Sequence, residues 1–183
     1  MKHIRLLFLI CLLSVTATAY AGTPGNEKKI AEIRKQYNEV KANIEKGVSM
    51  ENLFYCTTIV NRSTVPAIGW VTRTINIYSV PPEENECIPG DPDYHNIILF
   101  ITITDDANGM KRTYYEYLYD RKGEPIFAFQ YNLFNEKPMD ECRFYYDKGQ
   151  MLRCLPETAH PNNLYVYHDA ELYKEFADRV NQM

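Results

Sequence analysis

The chain has 183 residues, 20 basic against 24 acidic side chains, a formal net charge of −4, and 45% hydrophobic residues. A mildly acidic chain with scattered charge lacks the basic patch that phosphate binding needs, which argues against nucleic acid as a partner. It gives no sign of binding an anionic membrane surface either.

The first 21 residues read as a secretory leader. Lys2 and Arg5 form a positive start, Leu6 to Leu13 an apolar stretch, and Ala19-Tyr20-Ala21 a small-residue cleavage site. The apolar run falls short of the ~20 residues that span a bilayer. Cleavage after Ala21 leaves residues 22–183, one domain with no membrane span and room for a sizeable core. Losing Lys2 and Arg5 takes the net charge to −6. The expected location is periplasmic or extracellular, without a lipid anchor, because Leu9-Ile10-Cys11 lacks the small residue of a lipoprotein box.

Residues 26–46 carry Ile30, Ile33, Tyr37, Val40 and Ile44 at spacings of 3, 4, 3 and 4, which predicts an amphipathic helix laid on a sheet. Gly47 is placed to stop it. From residue 51 to 155 the period switches to 2. Strands are predicted at 52–60, 68–79, 96–104, 111–119, 125–134, 140–146 and 150–155. Phe127, Phe129, Tyr131 and Leu133 share one strand face, as do Ile97, Leu99, Ile101 and Ile103. Half-buried alternation of this kind belongs to an antiparallel sheet. Glycines end the tight turns at 105–109, 120–123 and 147–149, supplying the positive φ that hairpins demand.

The segment 81–94, with four prolines and five acids, is a long exposed loop. Past residue 155, Asp169 is the expected N-cap of a last helix, 170–181, whose apolar face is Leu172, Tyr173, Phe176, Ala177 and Val180. The predicted fold is α+β: an antiparallel meander of about seven strands, with an N-terminal and a C-terminal helix packed on one face.

Glu116-Tyr117-Leu118-Tyr119-Asp120-Arg121-Lys122-Gly123 returns as Arg143-Phe144-Tyr145-Tyr146-Asp147-Lys148-Gly149. This pair resembles the YD-type hairpin of RHS-like repeat proteins. It is also similar to a set of small exported bacterial proteins of unknown function that carry a YYD-K-G turn. The resemblance covers about residues 111–155. It implies an exported bacterial protein and brings no catalytic residues with it.

Cys11 leaves with the leader, so Cys56, Cys87, Cys142 and Cys154 remain. An even number in an exported chain reads as two disulfides, with three connectivities open. If Tyr146 and Gln150 close a three-residue loop, Cys142 lies opposite Cys154. Directly opposed strand residues sit ~4.5–5.5 Å apart at Cα, within disulfide range. That register predicts Cys142–Cys154 and leaves Cys56 to pair with Cys87.

No G-x-S-x-G elbow, papain-like cysteine context, H-E-x-x-H or EF-hand pattern is present. His160, His168 and Asp169 are the nearest approach to a metal set, and Glu83, Glu84, Glu86, Asp91 and Asp93 cluster on the long loop. No cofactor is implied. The leading expectation is a non-enzymatic exported binding module for a glycan, a peptide or an envelope protein. Its fifteen tyrosines suit half-buried strands, and the alternative use for them is an aromatic ligand surface. Tyr115, Tyr117 and Tyr119, which share one face of their strand, are the candidate surface. Two other readings remain: a small exported hydrolase using loop carboxylates, and an inhibitor or assembly subunit acting through the stripe at 30–44.

Overall fold

The computed structural model describes residues 24–47, 54–83 and 96–182. The predicted leader, Cys87 and most of the acidic loop lie outside the described residues. The chain runs through helix α1 (Pro24–Lys46), then strands β1 (Tyr55–Val65), β2 (Gly69–Val80), β3 (Ile97–Ala107), β4 (Lys111–Tyr119), β5 (Pro125–Phe134), β6 (Lys137–Asp147) and β7 (Gln150–Leu155). A 3₁₀ turn (Glu157–Asn162) and helix α2 (Asn163–Asn181) follow. The strands form one antiparallel sheet in sequential order, so the α+β meander expected from the alternation is the architecture of the molecule.

Cross-strand pairing arranges the side chains in rows. On one face the first row is Tyr78, Phe100, Leu118, Phe127 and Tyr145, each opposite the next. On the other face it is Ile77, Ile101, Tyr117, Ala128, Phe144 and Cys154. Both rows are apolar, so both faces need cover. Ile30, Ile33 and Val40 of α1 pack on the first. Val166, Ala170 and Ala177 of α2 pack on the second. The helices therefore take opposite faces rather than one, and the sheet is the middle of three layers. Alternation predicted one wet side because it weighed only the larger apolar set of each strand.

α2 starts earlier than expected. Asp169 lies inside it, exposed, and caps nothing. Starting at Asn163 recruits Val166 and Ala170 into a stripe with Tyr173, Ala177 and Val180. Leu172 and Phe176 are left largely in solvent.

The β6–β7 hairpin corrects the cysteine register. Lys148 and Gly149, both at positive φ, form a two-residue turn, and a bulge follows between Tyr145 and Tyr146. Cys154 then faces Phe144, while Cys142 faces Gln130 across β5. The two cysteines are diagonal neighbours, typically ~7–8 Å apart at Cα, which is beyond ordinary disulfide reach. Among the described residues Cys56, Cys142 and Cys154 form no disulfide, and Cys87, the partner predicted for Cys56, lies outside them.

Candidate functional site

Tyr117 and Tyr119 are not a ligand surface. They are 1% and 2% exposed beneath α2. Tyr117 stacks on Tyr173 at 5.8 Å between centroids, and the Tyr119 hydroxyl donates to the Ala170 carbonyl at 2.8 Å. Tyr115 is half-buried and stacks on Tyr117. The odd-numbered face of β4 is the one α2 covers, so its tyrosines build core. The stripe of α1 is spent in the same way: Ile30 and Ile33 are 1% exposed against the molecule's own sheet. Val40 is buried with them, and Tyr37 and Ile44 pack partly against the same cluster.

The open surface is on the α1 face, beyond the helix. The second row there runs Thr58, Asn76, Thr102, Glu116, Phe129 and Arg143. Thr58 donates to Asn76 Oδ1 at 2.8 Å, and Asn76 Nδ2 donates to Thr102 at 3.1 Å. Glu116 accepts from three groups: the Tyr37 hydroxyl at 2.6 Å, Lys41 Nζ at 2.8 Å and the Tyr114 hydroxyl at 2.8 Å. A carboxylate out of water needs this many donors. Burial first, and then the neighbouring carboxylate, hold the Tyr37 and Tyr114 phenols far above their usual range, so both remain donors. This knot fastens α1 to the sheet and marks where its cover ends.

Beyond it lie two further rows. One is Val60, Thr74, Thr104, Tyr114, Tyr131 and Glu141; the other is Arg62, Thr72, Asp106, Arg112 and Leu133. Their central members line an open concavity of ≈ 790 Å³. Asp106 takes the Gly109 backbone N–H at 2.7 Å on one oxygen and Arg112 Nη2 at 2.9 Å on the other. The Gly109 bond, then Arg112, hold its carboxyl below the usual range. Asn108 and Gly109, at φ 51° and 75°, are the central residues of the turn between Ala107 and Met110, closed by the Met110 N–H on the Ala107 carbonyl at 3.0 Å, and this turn points the Gly109 N–H toward Asp106.

Three hairpin tips meet at this end. Asn108 Nδ2 donates to the Ile68 carbonyl at 3.3 Å, and Asn135 N–H to the Met110 carbonyl at 2.8 Å. Ile68, Trp70, Met110 and Phe134 are exposed along them. The Arg62 guanidinium lies 4.8 Å from the Trp70 ring centroid.

The sequence signal for this site was present but undirected. Tyr131 and Leu133 share their face with Phe127 and Phe129, which made all four look like core. Glu116 is a lone charge inside the run Tyr114–Tyr119, the one hint that this strand carries a polar knot.

Of the predicted loop carboxylates, Glu84, Glu86, Asp91 and Asp93 lie outside the described residues, and Glu83 sits 3.7 Å from Arg121. His168 is 3.8 Å from Glu171 on exposed helix. Among the described residues no three His, Cys, Asp or Glu side chains cluster as metal ligands. No described helix is long and apolar enough to cross a membrane. No protein-family model, curated protein or solved structure matches the chain.

Proposed function

We propose that the protein is an exported binding module that holds a neutral polyhydroxylated chain, a glycan strand, on the half of its sheet that α1 leaves open. The observation that carries this reading is the pair of uncovered rows. The hydroxyls of Thr72, Thr74 and Thr104 line the concavity beside the Tyr131 ring and a paired Asp106–Arg112. Hydroxyls and a charge pair offer donors and acceptors to sugar hydroxyls, and an aromatic ring offers a face to the sugar's apolar side.

Charge favours the same ligand. Asp106 and Arg112, the charged residues that line the concavity, cancel, so its lining selects neither an anion nor a cation. Chemistry also favours holding over proton transfer. Asp106 stays ionised and Tyr114 stays neutral at ordinary pH, whereas a general acid or base needs a value near the working pH. A shallow site of this kind binds weakly, with a Kd on the order of 0.1–1 mM.

Titration calorimetry with soluble neutral hexasaccharides tests this. At least one should bind, and Tyr131→Ala and Arg112→Ala should each weaken it about tenfold, the loss of ~1.4 kcal/mol. Binding that ignores both substitutions rejects the surface. Failure of every oligosaccharide rejects the ligand class.

A further inference from the structure

α1 does not seal against the sheet along its whole length. Between its middle turns and strands β5 and β6 lies a second cavity, of ≈ 260 Å³, on the covered side of the Glu116 knot. Its floor is aromatic. Phe127 meets the rings of Tyr37 and Tyr145, both at 5.1 Å between centroids. Ile33 and Phe129 complete the apolar wall.

Its mouth is cationic. Arg34 and Arg143 reach it from opposite sides, one from the helix and one from β6. Arg34 lies 5.4 Å from the Tyr145 ring centroid and donates its Nε–H to that residue's hydroxyl at 3.3 Å. Arg143 lies 5.4 Å from the Phe129 ring centroid. Stacking orients each guanidinium plane and lowers the entropy lost when it binds.

The charges do not balance. Arg143 pairs with Glu141 at 2.5 Å, and the nearby Lys41 is taken up by Glu116. Arg34 forms no ion pair with any described residue; its polar partner is a phenol. The mouth therefore carries one uncompensated positive charge above an apolar floor.

We propose that this cavity binds a small monocarboxylate with a ring-sized apolar body, an arylalkanoate in chemical class. The body would lie on Phe127, Phe129 and Tyr37, and the carboxylate would take the free edge of the Arg34 fork. Arginine suits that task because two parallel N–H groups match two carboxylate oxygens. At ≈ 260 Å³ the cavity falls just below the ~300–1,000 Å³ of pockets for drug-sized ligands, so it suits a compact acid rather than a long acyl chain. A single uncompensated charge favours a monoanion over a phosphate dianion. This site is separate from the open concavity, and its test does not depend on glycan binding.

The test uses the purified protein with 3-phenylpropanoate and its neutral isostere 3-phenylpropanamide, followed by ligand-observed NMR titration. The acid should bind at least about tenfold more tightly than the amide. Arg34→Met should reduce the acid to the affinity of the amide, and Arg34→Lys should restore only part of the difference. Arg34 is exposed, so these variants should fold, and thermal melting checks that. Lys35→Met, on the solvent side of the same helix, should leave affinity unchanged. Equal binding of acid and amide overturns the proposal. So does acid binding that survives Arg34→Met, or no saturable binding of the acid by the native protein.

Discussion

Glu116 is 1% exposed, and among the described residues it is the charged side chain the fold takes fully out of water. Its stability rests on complete satisfaction. Truncating it strands Lys41 and two phenols at once. Glu116→Ala should cost about 3 kcal/mol, the low end for breaking a buried pair because Lys41 keeps some contact with water. Chemical denaturation checks this, and a cost below ~1 kcal/mol would mean that the knot is ornamental. The same scale shows where sequence reasoning ran out for single residues. Counting through a three-residue loop places Cys142 opposite Cys154. A two-residue turn and one bulge put Phe144 there instead, and neither departure has a distinctive residue signature. Tyr115, Tyr117 and Tyr119 were rightly grouped on one face. Which face would be wet was not legible, because tyrosine serves core and surface equally well.

At the scale of elements the strands were nearly all legible. Alternation of β-branched and aromatic residues located all seven, and β4, β5 and β7 run between the predicted bounds. The β5–β6 connection was less visible. Asn135 and Glu136 both adopt positive φ without a glycine to announce it, and so β6 begins at Lys137 rather than at Asp140. The sequence starts α2 at residue 170 rather than at Asn163 because Asp169 reads as an N-cap, while the inward residues Val166 and Ala170 are small and mark no stripe. That smallness is functional packing. Ala170 and Ala177 are fully buried and bring the helix backbone within reach of the Tyr119 hydroxyl. Ala170→Leu should overpack this contact and cost about 1–3 kcal/mol, while Leu172→Ala, at an exposed position, should change stability by less than ~0.5 kcal/mol. Equal effects from the two substitutions would contradict the placement of the helix.

For the whole molecule, tyrosines tie the three layers together, and their ionisation sets an alkaline limit. Burial pushes Tyr78 and Tyr167 up to about 12, and Tyr117, Tyr119 and Tyr146 are raised further for the same reason. Unfolded phenols titrate near 10. The unfolded chain therefore sheds protons first as pH rises. The stabilisation is complete below about pH 10 and is lost as pH climbs toward and through the folded values. Denaturation midpoints should be level from about pH 8 to 9.5 and then fall steeply, with the buried rings ionising only as the protein unfolds. Ring resonances of Tyr117, Tyr119 or Tyr146 that titrate near pH 10 in the still-folded protein, read residue by residue by NMR, would contradict the burial of these rings.

The class of the fold was legible in the sequence; the division of its faces was not. An open half-sheet arises only because α1 covers the first row, is fastened at the second, and leaves the third and fourth bare. That division is the central claim, and amide chemical-shift mapping during titration with a neutral hexasaccharide tests it most directly. The account predicts perturbations confined to Thr72, Thr74, Thr104, Asp106, Arg112, Tyr114 and Tyr131 and their neighbours, with the α2 face silent. Perturbations centred on α2, or none from any oligosaccharide, would contradict it.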